Sequence, residues 1–433
     1  MPAKTERRHR QGQESRLRIL QAALAIAAER GYDGTTVALV TERAGLPASS
    51  VYWQFKNKDD LLAEALDHSY RTWRSEGPTW QPANYTGSAR ERIETRLRLS
   101  REGVVKQPEY WRLGLMVSLL RPSSPIAARE RFIVVRGETR RIIEEWWRSV
   151  VPDQTEAHPG LAELLTRTYL AFVDGMFVAN RADPDLDLAA LTDAVGSAFA
   201  DVVEGWDDGH RAPAKRRATR RSRSRSAAVP DDDSRAKLLT AAAEIAAERG
   251  YRGTTISRVC TRAGVPVSSV YWYFADKEEL LASVVQHSWD EWYAAQPKWD
   301  PPREGETWGD ALARILATAS HSLVATPSFL RIGLLLTLEQ QSTEVAAREQ
   351  FLEVRRSIAV RVETWFRDNL PSDAVRERPT LPWLLTRTMI AFTDGFFLAS
   401  QIDETEAAAP SFASLVVDVL ERMADPAPTR VSA

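Results

Sequence analysis

The residues best suited to do chemistry lie between Thr36 and Lys58, where hydroxyls, aromatic rings, an amide and a lysine follow one another closely. Side chains of these types can hydrogen-bond to phosphate oxygens and to the edges of bases. Catalysis would need a nucleophile with its base, a glycine-rich phosphate loop or a carboxylate pair, and the chain offers none of these. This segment from Thr36 to Lys58, the candidate binding window, therefore indicates binding chemistry. We expect neither an enzyme nor a cofactor.

Two other chemically active residue types are set aside. His68 and His287 occupy matching positions, but no second ligand follows at metal-binding spacing, so we expect helix-surface residues and no metal. The single Cys260 cannot form an internal disulfide, which favours a reducing cytoplasm. We expect it to be a small packed residue, with a redox sensor as the alternative.

The window occurs twice because the chain of 433 residues is a tandem repeat. Segment 29–32 (ERGY) recurs at 248–251, and segment 49–53 (SSVYW) recurs at 268–272. The offset grows by one residue after Pro152, which indicates an insertion in a surface loop. A repeat this long is a duplicated subunit, so it predicts two similar folded units.

Each unit shows apolar residues at helical spacing and no alternating strand pattern, which predicts an all-α fold. We expect longer helices at about 88–106, 109–120, 126–150, 160–181 and 188–205. In the first unit we place a small N-terminal domain at 14–66 and a larger helical domain at 67–208. A basic, flexible linker at 209–230 follows, and the second unit comprises domains at 231–285 and 286–424.

The window itself predicts two short helices joined by a tight turn. Thr36 is placed to cap the first helix, and Gly45 permits the left-handed conformation that the turn needs. In the second helix Val51 and Phe55 face inward, which leaves the polar and aromatic residues outside. A short helix with such an exposed face suits the major groove of DNA.

Segments 36–62 and 255–277 resemble the DNA-binding signature of the TetR family, in which a helix-turn-helix domain precedes a helical domain for effector binding and dimerisation. The resemblance covers about fifty residues in each copy. It implies a double-stranded DNA operator and a small-molecule effector as partners. It also implies DNA-facing or phosphate-clamping roles for the following residues: Thr36, Ala48, Ser49, Ser50, Tyr52, Trp53, Gln54 and Lys58, with Thr255, Val267, Ser268, Ser269, Tyr271, Trp272, Tyr273 and Lys277.

The copies differ where bases would be read, at Ala48 against Val267 and at Gln54 against Tyr273. One interpretation is that the two half-sites differ, which gives an imperfect palindrome as operator. The other is that these are neutral surface differences.

In the helical domains, aromatic residues could line a pocket or fill a core. We expect Trp111, Trp147 and Met116 to contact the effector. Asp174 and Asp394 lie in apolar helices and need partners. We expect Arg167 and Arg387 to supply them near the seam between subunits, with the adjacent glycines allowing close approach; a ligand contact is the alternative.

The net charge is only −2, yet segment 211–226 is strongly basic, so the linker is either a plain tether or one that also contacts phosphates. No apolar run is long enough to span a bilayer. We expect a ligand-responsive repressor that acts as a single-chain pseudo-dimer. A variant of this hypothesis is that two chains pair and present four DNA-binding domains. The alternative is a ligand-binding or scaffolding protein that no longer binds DNA.

Overall fold

The computed structural model describes residues 2–76, 80, 87–106, 108–183, 185–206, 233–296, 298–324, 328–339, 346–402 and 409–425. Within these ranges the secondary structure is helical, without strands. The linker expected at 209–230 lies outside them.

The first half contains ten helices in the described ranges. They are α1 (Pro2–Gly34), α2 (Val37–Ala44), α3 (Ala48–Gln54), α4 (Lys58–Glu76), α5 (Ala89–Lys106), α6 (Glu109–Leu119), α7 (Ala127–Val150), α8 (Pro152–Ala157), α9 (Leu161–Ala182) and α10 (Leu188–Glu204). The longer helices lie within a residue or two of their expected bounds, whereas the short α8 was not expected.

The second half repeats this order. Its helices are α11 (Asp233–Gly253), α12 (Ile256–Ala263), α13 (Val267–Tyr273), α14 (Lys277–Ala294), α15 (Trp308–Val324), α16 (Ser328–Leu338), α17 (Ala346–Asn369), α18 (Ser372–Glu377), α19 (Leu381–Ile402) and α20 (Ala409–Ala424). In each half the first three helices and the start of the fourth form a small head, and the later helices form a bundle. None of the described helices is long and apolar enough to cross a membrane.

The two halves pack against each other through α9 and α19, with α10 and α20 beside them. At the crossing, a Cβ added to Gly175 would lie 1.8 Å from the Ala391 carbonyl oxygen, and one added to Gly395 would lie 1.7 Å from that of Ala171. Only glycine fits where two backbones come this close. The expectation that these glycines permit close helix approach is confirmed.

The expected partner of each neighbouring aspartate was wrong. Asp174 pairs with Arg136 of α7, and Arg167 instead pairs with Glu163, one helical turn before it. An i, i+4 neighbour is within easy reach of Arg167, whereas Asp174 lies two turns away.

The second copy departs from the expectation in the same way. Asp394 pairs with Arg355 of α17, the counterpart of Arg136, and Arg387 instead pairs with Asp183 in the other half.

Candidate nucleic-acid interface and ligand cavities

The turn in each head is built as its sequence requires. The Thr36 hydroxyl accepts a hydrogen bond from the Leu39 amide at 3.3 Å and caps α2. Gly45 ends α2 in the left-handed conformation at φ 62°, and its counterpart Gly264 does so at φ 69°. Pro47 precedes α3 as its N-cap residue and sets the direction in which this helix leaves the turn.

The recognition helices α3 and α13 bury one side and expose the other. Val51 is 1% exposed and anchors α3 to the head, whereas Tyr52 is 63% and Trp53 is 90% exposed. In α13, Tyr271 and Trp272 are exposed to similar degrees, at 60% and 86%. Large aromatic side chains are seldom left in water without a partner, so this face is available for binding a macromolecule.

Lys58 and Lys277 lie at the starts of α4 and α14, half-buried beside the recognition helices. The Lys58 ammonium donates to the Tyr32 carbonyl oxygen at 3.0 Å and lies 4.2 Å from the centroid of the Tyr32 ring. Lys277 repeats both contacts with Tyr251, at 3.1 Å and 3.8 Å. Burial lowers the pKa of each lysine. The amine is therefore held in place by its own head, where Lys58 also lies 3.9 Å from a carboxylate oxygen of Asp33.

All sixteen residues expected at the DNA thus lie in the two heads, at or beside the exposed faces of α3 and α13. Ser50 and Gln54 are half-buried at the edges of the α3 face, as are Ser269 and Tyr273 in α13. Thr36 and Thr255 are exposed at the starts of α2 and α12. Their contacts with DNA remain predictions.

Comparison with known proteins agrees with this geometry. The family model described as "Bacterial regulatory proteins, tetR family" matches residues 19–65 and 238–284, which are the two heads. The chain is a tandem-duplicated TetR-like transcriptional regulator. As a member of this group it is a DNA-binding protein, and the exposed faces of α3 and α13 are its candidate DNA-reading surfaces.

Relatives of this TetR-like chain match it over different lengths. The "Fatty acid metabolism regulator protein" of Bacillus subtilis (strain 168) is 27% identical over 169 residues, which are 39% of this chain and 79% of that protein. The "HTH-type transcriptional regulator TtgR" of Pseudomonas putida is 37% identical over 62 residues, 14% of this chain and 30% of that protein.

One solved structure that resembles the fold is the transcriptional regulator FadR from Bacillus subtilis in complex with stearoyl-CoA. It matches with a TM-score of 0.35 and 16% identity, and the match covers 44% of this chain and 97% of that one.

The second half of the TetR-like chain contains a partly open apolar cavity of about 120 Å³, bounded by α14, α15, α16, α17 and α19. Its wall is mainly aromatic and aliphatic, with Leu330 and Met389 among the lining residues. Asp394 also lines it and is 4% exposed. Burial raises the pKa of this carboxyl, which Arg355 opposes. The cavity thus combines a mainly apolar wall with the buried pair of Asp394 and Arg355, and Arg361 also lines it.

The equivalent cavity of the first half is smaller, at about 60 Å³, and more polar. The guanidinium of Arg96 lies 3.6 Å from the centroid of the Trp80 ring, and its Nε donates to the Tyr169 hydroxyl at 3.3 Å. Ser100 also hydrogen-bonds to Tyr169. These contacts tie the walls of the first cavity together across the space that a ligand would occupy.

The three expected effector residues are not brought together. Trp111 lines the first cavity, where its indole N–H donates to Asp174 at 2.7 Å. Trp147 is buried against Trp146 and Phe199, and Met116 is buried in α6; neither lines that cavity. The larger cavity in the second half was missed. Its signal in the sequence was that Leu330 replaces Trp111 while the aspartate opposite is kept as Asp394.

Proposed function

We propose that this chain acts alone as a pseudo-dimeric, ligand-responsive repressor. Its two heads bind the two halves of an imperfect palindrome, and an effector in the helical bundle releases them. The observation that carries the proposal is the seam between α9 and α19. Reciprocal glycines there, Gly175 and Gly395, let the halves of one chain approach as closely as the two subunits of a dimer would.

Further polar contacts across the seam support a pairing of the two halves within one chain. Arg129 donates to the Gln401 carbonyl oxygen at 2.9 Å, and Arg348 makes the equivalent contact with the Arg181 carbonyl oxygen at 3.4 Å. Buried Arg331 also reaches across to the Leu119 carbonyl oxygen. Because these arginines and carbonyl oxygens hydrogen-bond to each other within a single chain, a second chain is not needed to bury the interface between the halves.

Helices α6 and α16 give a route from the cavities to the heads. Leu330, near the start of α16, lines the second cavity, and Glu339 just beyond its end lies against Gly31 of the first head, where an added Cβ would be 2.5 Å from its Oε1. Helix α16 also packs on α11 of the second head. Movement of α16 would therefore act on both heads.

Helix α6 makes the matching contacts on the other side. The amide of Arg121, just after α6, donates to the Ala247 carbonyl oxygen of the second head at 2.7 Å. An effector that binds better when α16 is displaced would favour a head arrangement that fits the operator less well. The strength of release is then set by its difference in affinity between the two arrangements.

Light scattering tests the single-chain assembly. We expect a mass near the 48.6 kDa of one chain, free and at low concentration. A mass near twice that value would contradict a self-contained pseudo-dimer and would favour two chains with four heads.

A gel-shift assay at stated salt, with DNA from upstream of its own gene, tests DNA binding. Tyr52→Ala and Tyr271→Ala should each weaken binding about tenfold, since one good contact to base or phosphate contributes about 1–3 kcal/mol. Val360→Ala is the matched control, because Val360 is 64% exposed but lies in α17, away from the heads. If the unaltered chain binds no operator under any salt condition, the scaffolding alternative is correct.

A further inference from the structure

The two halves contain the same buried ion pair but differ in what completes it. In the first half Asp174 receives a charged partner, Arg136, and a neutral one, the Trp111 indole N–H at 2.7 Å. In the second half Arg355 Nη1 lies 2.7 Å from Asp394 Oδ2, but Leu330 occupies the position of Trp111. The second carboxylate has therefore kept the cation and lost the neutral donor.

The loss leaves a carboxylate at the cavity wall with one partner fewer than its counterpart. Asp394 Oδ2 keeps its ion pair with Arg355 Nη1, but no neutral donor among the described residues hydrogen-bonds to it. Asp394 lines the cavity, whereas Asp174 does not line its own. A buried ion pair is stable only when further hydrogen bonds complete it, so a ligand that supplied a neutral donor would stabilise Asp394.

The same replacement pattern opened the space around Asp394. The residues that close the first cavity are Arg96, Ser100 and Tyr169, and their counterparts are Ile315, Ala319 and Met389. The second set has no polar groups with which to tie the walls together. The first cavity is therefore narrowed by its own polar side chains, at about 60 Å³, whereas the second has about 120 Å³.

We propose that the effector binds only in the second half, one per chain, and is an apolar, flat molecule whose neutral N–H or O–H donates to Asp394. The indole of Trp111 shows the required group, because it occupies the equivalent place in the first half with its N–H on the carboxylate. This inference rests on the proposed function for its biological meaning, but the binding itself can be measured without DNA.

Two fluorescent probes separate hydrogen bonding from simple apolar burial. They are 2-phenylindole, which carries an N–H, and 1-methyl-2-phenylindole, which does not. Fluorescence anisotropy with the full chain should give one 2-phenylindole per chain, bound at least tenfold more tightly than its methylated form, since a hydrogen bond to a charged group has about this effect. Equal affinities, or two probes per chain, would overturn the proposal.

Variants test whether the preference for 2-phenylindole comes from Asp394 or from the bulk of the methyl group on the other probe. Asp394→Asn should reduce the preference for the N–H probe at least threefold, whereas Asp174→Asn, its matched control, should leave the preference unchanged. Leu330→Trp should abolish probe binding, because it supplies the donor and fills the space. An unchanged preference in Asp394→Asn, or full binding by a folded Leu330→Trp, would contradict the proposal; circular dichroism checks folding.

The DNA assay keeps the two proposals distinct. If 2-phenylindole binds as described but does not release operator DNA, the site stands and the effector response of the proposed function fails. If the probe preference is absent while another compound releases DNA, the proposed function stands and this site assignment fails.

Discussion

At the scale of single residues, the duplication supplies an internal control for almost every position, and divergence between counterparts shows where the halves took on different tasks. Leu120 and Glu339 are such a pair, since each follows the helix that joins a cavity to the opposite head. Leu120 approaches Gly250, where an added Cβ would lie 3.8 Å from its Cδ2, whereas Glu339 places a carboxylate against Gly31. One of the two head contacts is therefore apolar and the other is ionisable.

Glu339 should make the stability of the chain depend on pH near neutrality. Burial raises the pKa of its carboxyl to about 7, although Arg252 and Lys277 oppose the shift. Since the folded pKa lies above that of the unfolded chain, its contribution is fully present below about pH 4.5 and is lost as the pH rises through 7. Glu339→Gln should therefore stabilise the chain at pH 8 by roughly 2 kcal/mol, with much less effect at pH 5.

Thermal unfolding followed by circular dichroism at the two pH values measures this difference. Glu102→Gln is the control, because Glu102 is an exposed glutamate on α5. If Glu339→Gln shifts the midpoint equally at pH 5 and pH 8, the carboxyl does not titrate in this range.

At the scale of helices, the sequence was sufficient for the fold and for the heads, because the signals there are local. Caps such as Thr36, the left-handed Gly45 and the apolar spacing of Val51 and Phe55 act within a few residues of one another. The ion pair of Asp174 could not be predicted from the sequence, since Arg136 comes from another helix and no local pattern links them. The apolar cavity of the second half depends on the same long-range packing, so it emerged only from the structure.

The crossing of α9 and α19 should tolerate no side chain at its glycines. Gly175→Ala or Gly395→Ala would place a methyl group inside the backbone of the opposite helix, and the helices must then move apart. We expect a loss of stability of about 2–3 kcal/mol or more, as for other overpacked sites, and weaker operator binding because the heads would no longer be held at one spacing.

Gly137→Ala is the matched control for this pair, because Gly137 lies inside α7 with nothing within 4 Å of an added Cβ. It should be neutral or stabilise by up to about 1 kcal/mol, as expected for alanine in a helix. Thermal melting compares the three variants. Equal effects at all three positions would show that the crossing does not depend on close approach.

At the scale of the whole molecule, joining two subunits in one chain removes the requirement that they be identical. A homodimer must alter both cavities and both heads at once, whereas here Leu330 can open one cavity while Trp111 helps to close the other. Helix α16 then connects the larger of these two cavities to both heads, through Glu339 at Gly31 and through its packing on α11. A single effector per chain could therefore control a two-headed complex.

The same freedom applies to the heads, and it gives a prediction about the operator. The exposed sets on α3 and α13 differ only at Ala48 against Val267 and at Gln54 against Tyr273. If these positions read bases, the double variant Ala48→Val/Gln54→Tyr should prefer a perfect palindrome built from the half-site of the second head. The reciprocal variant Val267→Ala/Tyr273→Gln should prefer a perfect palindrome of the other half-site. Selection of binding sequences from a random library measures both preferences. An asymmetric selected site in the unaltered chain that stays the same in both variants would show that these differences are neutral, and that the heads are distinguished elsewhere.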